Sequence, residues 1–171
     1  MRTRLIPLLL LALLSGCGFR PLYGTTNAVG ADGRTLPDML AHIEVRETAD
    51  RLGQAVRNEL IGVLTPRGLA GAPRYALELS VDETLDGYAF RGDRAITRQR
   101  LTLEAKWRLV DLARGEPVLE ETSEAWTAYD VVQSDFANLS AQGSAEVEAT
   151  ARLAERILSR IASHFGRGGE Q

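Results

Sequence analysis

Apolar positions recur along this chain with two different periods, and each change of period marks an element. Ile43 and Val45 alternate with His42, Glu44 and Arg46, which predicts a short first strand. Leu52, Val56, Leu60, Val63 and Leu64 then fall at three- and four-residue steps along one helix face, with Asp50 as cap and Thr65-Pro66-Arg67-Gly68 as stop. Period two returns at Tyr75, Leu77, Leu79 and Val81, which face away from Glu78, Ser80 and Asp82. After a turn region rich in Asp and Gly, Leu101, Leu103, Ala105, Trp107 and Leu109 line one face of a third strand. Arg98, Arg100, Thr102, Glu104, Lys106 and Arg108 line the other. Ala113-Arg114-Gly115-Glu116 makes a turn, and Val118 to Tyr129 reads as a fourth strand. Its alternation is weaker, because Trp126 and Tyr129 both want cover; a bulge or an edge position accounts for that. From about Ser144 to Phe165, one helical stripe holds Val147, Ala151, Ala154, Leu158, Ile161 and Phe165, with Gly166 as its stop.

The order is β-α-β-β-β-α, an α+β fold. The strand-helix-strand opening favours a parallel pair joined by a right-handed crossover, and the short links that follow favour antiparallel hairpins. Each helix has one apolar stripe and each strand one apolar face. The simplest closure is a two-layer sandwich, a mixed four-stranded sheet with two helices packed on one face and the other face left polar and exposed. Residues 38–166 form this single domain and 167–171 a frayed, flexible tail. Between Gly18 and Pro37 the turn residues Gly24, Asn27, Gly30 and Gly33 interrupt a stretch with no apolar period, so 17–37 reads as a tether. About fifteen extended residues reach ~50 Å.

The first sixteen residues stand apart from this fold. Arg2 and Arg4 precede an apolar run from Leu5 to Leu14, too short to span ~30 Å of hydrocarbon as a helix. Leu14-Ser15-Gly16-Cys17 then forms a bacterial lipobox, which makes 1–16 a lipoprotein signal peptide and Cys17 the acylated first residue of the mature chain. Two or more acyl chains give stable anchoring, since each buried CH₂ contributes ~0.8 kcal/mol. Cys17 is also the only cysteine, so no intramolecular disulfide is available and the core must hold the domain.

Without Arg2 and Arg4 the chain has 18 basic and 23 acidic residues, a net charge of −5, which argues against a general nucleic-acid binder. Apart from Lys106 every remaining basic residue is arginine. That bias suits forked recognition of phosphate or carboxylate, and a GC-rich genome produces it equally. Catalytic chemistry is thinly represented. His42 and His164 are the only histidines, neither has a partner in sequence, and both read as surface or boundary residues. Metalloprotease, nucleophile-elbow and phosphate-loop motifs are lacking. Pairs such as Glu120-Glu121 and Asp82-Glu83 alternate across a strand and cannot act together. A binding or assembly protein with no cofactor beyond the covalent lipid on Cys17 is expected, not an enzyme.

The string Gly16-Cys17-Gly18-Phe19-Arg20-Pro21-Leu22-Tyr23-Gly24 resembles the start of the alphaproteobacterial LPS-assembly lipoprotein family LptE. Tyr129, Ser134-Asp135-Phe136-Ala137 and the stretch from Leu153-Ala154 to Phe165 are similar, in order, to the family's C-terminal pattern. The family's basic residue just before the last helix has no match from Asp130 to Asn138. What the resemblance implies is an outer-membrane lipoprotein that plugs the large β-barrel LptD, supports its assembly and helps pass lipopolysaccharide to the outer leaflet. The anchored, compact domain with one polar sheet face fits such a role. Gly18 also lacks the Asp associated with inner-membrane retention.

For lipopolysaccharide contact, the Leu85–Arg100 hairpin region gathers Arg91, Arg94, Arg98 and Arg100 near Tyr88 and Phe90. Guanidinium groups suit phosphate and the rings suit sugar or acyl surface. A solvated hairpin balanced by Asp86 and Asp93 is the competing reading. At the level of function, the alternative is an auxiliary lipoprotein of a lipid-transporting ABC or MCE-type system, against which the FRPLYG opening stands. A cell-wall hydrolase would need a catalytic His, Cys or metal cluster that the sequence does not offer.

Overall fold

A computed structural model of the protein describes residues 34–66, 68–69, 71–90 and 96–168. The elements run α1 (Leu36–Leu40), β1 (Ile43–Val45), α2 (Arg51–Leu64), β2 (Tyr75–Phe90), β3 (Ile96–Asp111), β4 (Glu116–Asp130) and α3 (Asp135–Gly168). The sheet order is β1-β2-β3-β4, with β1 parallel to β2 and the other pairs antiparallel. This is the expected α+β sandwich in the expected order, with the five-residue α1 added in front. Thr35 caps α1 by accepting from the Asp38 N–H at 3.4 Å, and Pro37 lies in its first turn, where a missing N–H costs nothing.

The alternation along β3 sets the core. Leu101, Leu103, Ala105, Trp107 and Leu109 are all buried, and each such side chain taken from water contributes roughly 1.5–3 kcal/mol when large. Val56, Leu60 and Leu64 of α2 and Ala149, Leu153, Ile157 and Ile161 of α3 complete the same cluster. The α2 cap is as expected: the Asp50 carboxylate accepts from the Gly53 N–H at 2.6 Å. Gly53 is required there, since a Cβ would lie 2.7 Å from Thr48 Oγ1. Between β3 and β4 the Asp111 carboxylate accepts from the N–H groups of Ala113 (2.8 Å) and Arg114 (3.2 Å), and Gly115 takes a φ of +72°.

Three expectations need correction. The last helix begins at Asp135, not Ser144, and passes through Gly143 and Gly166 to Gly168. Its packed stripe is also rotated: Ala145, Ala149, Leu153, Ile157 and Ile161 face the sheet, with Thr150, Ala154, Leu158 and Ala162 beside them, while Val147 is 65% exposed. Small residues face inward here because α3 lies close over β4, making contacts from Glu148 to Thr127, Arg156 to Glu124 and Arg160 to Glu121 along its length.

The second correction concerns β4. Its alternation is regular, with Ser123, Ala125, Thr127 and Tyr129 inward and Trp126 on the open face, 46% exposed. The inward residues are small and polar, which hides the period. As expected, β4 is an edge strand. Thirdly, the Asp- and Gly-rich turn region is mostly strand: β2 and β3 stay paired to Phe90 and Ile96, and a register shift after Gly87 absorbs the irregularity.

Candidate functional site

Pairing by register assembles one end of the open sheet face. Arg100 lies opposite Asp86 on β2 and Ala128 on β4, and Trp126 lies opposite Thr102, one step along. The Arg100 guanidinium is thereby held between two rings, 5.4 Å from the Tyr88 centroid and 4.8 Å from that of Trp126. Arg98 lies 6.0 Å from the Tyr88 ring, and its Nε is 2.9 Å from an Asp130 carboxylate oxygen. Tyr88 is 43% exposed.

The two arginines are not equivalent. Asp130 occupies Arg98, whereas Arg100 has no carboxylate partner among the described residues and is held by aromatic faces alone. Stacking of this kind fixes the plane of a guanidinium while leaving its N–H edges available to a phosphate or carboxylate. The adjoining rings offer apolar surface to a sugar or acyl group. Further along the same face the charges neutralise one another. Lys106 lies 3.8 Å from both Asp82 and Glu104, and Arg108 donates to Glu78 at 2.7 Å, around a shallow hollow bordered by Ser80, Glu120 and Thr122. Among the described cations of this face, Arg100 at the hairpin end alone makes no ion pair, although Asp86 lies opposite it in the register.

Of the residues expected to act, the structure brings Arg98 and Arg100 together with Tyr88. Arg91, Arg94 and Cys17 lie outside the described residues. Trp126 is the residue that sequence reading misses. It was expected to seek cover, and its only signal toward this site is the even-numbered position it shares with Glu124 and Ala128. His42 is half-buried, with Nδ1 2.7 Å from the Asp38 carbonyl oxygen, and His164 packs edge-on against Phe165, so both are boundary residues as read.

On the opposite layer the first turns of α3 carry a second surface. Ser134 caps the helix, accepting from the Ala137 N–H at 3.4 Å, and the Asn138 side chain makes two 2.9 Å bonds with the Val132 backbone. These bonds set the helix so that Phe136, Leu139 and Val147 point outward, exposed by 83%, 69% and 65%. Positions 136, 139, 143 and 147 share one face of a helix, so this is a stripe opposite the one buried on the sheet. The contacts that tie β4 and α3 to their neighbours are polar. Tyr129 donates to Gln99 at 2.5 Å, Thr127 donates to Glu148 at 3.0 Å, and Arg51 makes a forked pair with Glu146. Burial, and then the Glu83 carboxylate, push the Tyr129 phenol above its usual value. No group of His, Cys, Asp and Glu among the described residues is arranged to hold a metal ion, and no described helix is long and apolar enough to cross a membrane.

Solved structures share this fold. A lipoprotein from Caulobacter crescentus is similar with a TM-score of 0.62 and 24% identity, over 75% of this chain and 93% of that one. Rare lipoprotein B from Shewanella oneidensis gives 0.54 and 16%, over 71% and 92%. Lipoprotein B from Nitrosomonas europaea gives 0.57 and 10%, over 75% and 86%. Comparison with curated protein sequences gives no match. The family model for LptE, lipopolysaccharide-assembly, matches residues 40–161, which takes in β1 through most of α3. The chain therefore belongs to the LptE lipopolysaccharide-assembly family.

Proposed function

We propose that the chain is an outer-membrane lipoprotein, held by an acylated Cys17, that plugs the LptD β-barrel, supports assembly of that barrel and helps deliver lipopolysaccharide to the outer leaflet. The observation that carries this reading is the layout of the sandwich within a lipopolysaccharide-assembly family. One sheet face is left to polar side chains, with a ring-held arginine at the hairpin end, and the helix layer bears an apolar stripe that nothing among the described residues covers.

A plug in a wet lumen needs both surfaces. Its polar face lines water, and its apolar stripe gives the surrounding wall something to desolvate. The described chain begins just ahead of β1, which pairs at the Tyr75 end of β2, the end of the sheet away from Phe90 and Ile96. In this arrangement the lipid stays in the inner leaflet while Arg98, Arg100, Tyr88 and Trp126 reach toward the phosphorylated sugars in transit, with Arg91 and Arg94 on the same hairpin.

The test is purification of the full-length lipoprotein from its own host in mild detergent, followed by identification of whatever accompanies it in equal amount. LptD is expected. An ABC or MCE-type complex in its place would refute the reading and put the alternative in its stead.

A further inference from the structure

The two outer edges of the sheet are finished differently. On β4, Arg156 donates to the Glu124 carbonyl at 2.7 Å, Arg160 lies 3.4 Å from Glu121, and Pro117 has no N–H to offer. That edge is partly blocked, at the Glu124 carbonyl by a side chain of α3 and at Pro117 by a missing N–H. Among the described residues β2 has no such guard. β1 pairs with Tyr75, Ala76 and Leu77 only, and the Arg46 N–H adds a last bond to the Leu77 carbonyl at 2.9 Å. Beyond Leu77, β2 continues to Phe90 with β3 on one side.

Backbone direction follows from that last bond. In a strand the N–H and C=O of one residue point to one side and those of the next residue to the other. The Leu77 carbonyl points toward β1, so the backbone groups of Leu79, Val81, Glu83 and Leu85 point toward the open edge. Those of Ser80, Asp82 and Thr84 bond to β3. Among the described residues no hydrogen bond from another element reaches the four edge N–H groups or their carbonyls.

The side chains beside this edge select what can lie along it. Leu79, Val81, Glu83 and Leu85 stand on the helix-bearing face, an apolar row interrupted by the half-buried Glu83, and Leu85 is 42% exposed. Ser80, Asp82, Thr84 and Asp86 stand on the polar face. From Tyr75 to Phe90 the strand carries Glu78, Asp82, Glu83 and Asp86 and no basic residue. A second copy of the same strand would set like charges side by side, which is destabilising.

We propose that the open edge of β2 from Leu79 to Leu85 is a strand-addition site for an extended segment of another protein in which apolar and basic residues alternate. The apolar residues would lie beside Leu79, Val81 and Leu85, the basic ones beside Asp82 and Asp86, and the main chain would take up the open N–H and C=O groups. This site adjoins the Arg100 end of the polar face at Asp86, which lies opposite Arg100, and its main-chain bonds stand or fall independently of lipopolysaccharide binding.

The test is residue-resolved amide exchange on the full-length lipoprotein in non-ionic detergent, with the eight-residue peptide (Val-Lys)4 as probe and (Val-Glu)4 as control. In the free protein the amides of Leu79, Val81, Glu83 and Leu85 should exchange fast and those of Ser80, Asp82 and Thr84 slowly. Saturating (Val-Lys)4 should slow the first set about tenfold or more and leave the second set unchanged, and (Val-Glu)4 should do neither. Asp86→Lys should weaken the protection. Val81→Pro, which removes an edge N–H and no ladder bond but also a side chain packed on the core, should abolish it while Ser80, Asp82 and Thr84 still exchange slowly, which shows the ladder intact. No slowing at saturation, equal slowing of both sets, or edge amides already protected in a self-associated free protein would each overturn the proposal.

Discussion

Trp107 and Ser123 join β3 to β4 inside the core, and a double-mutant cycle on them tests the register of the sheet. The indole Nε1 donates to the Ser123 hydroxyl at 2.9 Å, with Trp107 2% and Ser123 7% exposed. Ser123→Ala leaves that N–H buried without an acceptor, which costs roughly 1–3 kcal/mol. Trp107→Phe removes the donor together with part of the ring, at a similar cost from lost volume, ~1–3 kcal/mol. Once the donor is gone, deleting the Ser123 hydroxyl strands nothing and should cost well under ~1 kcal/mol. The two changes are therefore expected to be non-additive by about 1 kcal/mol. Urea unfolding of the four proteins, followed by far-ultraviolet circular dichroism, measures this directly; at slopes of ~1–3 kcal/mol per molar the coupling is worth about 0.5 M in midpoint. Additivity within ~0.3 kcal/mol would mean the bond is not made and that the pairing of Ala105 with Ser123 is wrong.

Opposite faces of one strand give a second test. Trp107→Asp should unfold or severely destabilise the domain by several kcal/mol, whereas Lys106→Asp, which loses two exposed ion pairs and sets a carboxylate between Asp82 and Glu104, should cost no more than about 1–2 kcal/mol; equal thermal shifts would contradict the facing of β3. Replacing Arg91, Arg94, Arg98 and Arg100 with Ser should weaken binding of purified lipopolysaccharide in a salt-sensitive way while leaving the fold intact, and unchanged affinity in a folded variant would remove the hairpin site. The raised Tyr129 phenol implies stability that is fully present below the ordinary tyrosine value of about 10 and is lost as pH rises through the higher folded value. Tyr129→Phe should flatten that alkaline part of the stability profile, and an identical slope in both proteins would refute the assignment. Cys17→Ala should abolish palmitate labelling and release a folded domain from membranes; a wild-type chain that takes up no label would end the lipoprotein reading.

Legibility in the sequence followed the size of the residues that meet. β3 was plain because Leu101, Leu103, Trp107 and Leu109 are large and alternate with charges, and α2 was plain because Asp50 caps a leucine stripe. α3 was misjudged at its start because its packed residues are small: Ala145 and Ala149 allow close approach to β4, while the larger Val147 beside them faces out. β4 hid its period for the same reason, with Ser123, Ala125 and Thr127 inward and Trp126 outward. At the candidate site, the cluster of arginines in the hairpin was visible as local sequence. The ring pair that holds Arg100 was not, because Tyr88 and Trp126 come from different strands and meet only through the register of both with β3.

The element that covers most of the β3 and β4 apolar row is synthesised only after both strands. Leu101, Leu103, Ala105 and Trp107 can pair into a ribbon as soon as Asp130 has emerged, since the β3–β4 link is short and its contacts are local in sequence. Their cover arrives only with α3, from Asp135 onward. Until then the growing chain carries a sheet whose apolar face is bare along β3 and β4, a form prone to stick to its neighbours. A chain truncated before Asp135 should therefore accumulate as insoluble material, and holding the chain unfolded until α3 is free becomes a requirement for any machinery that handles it.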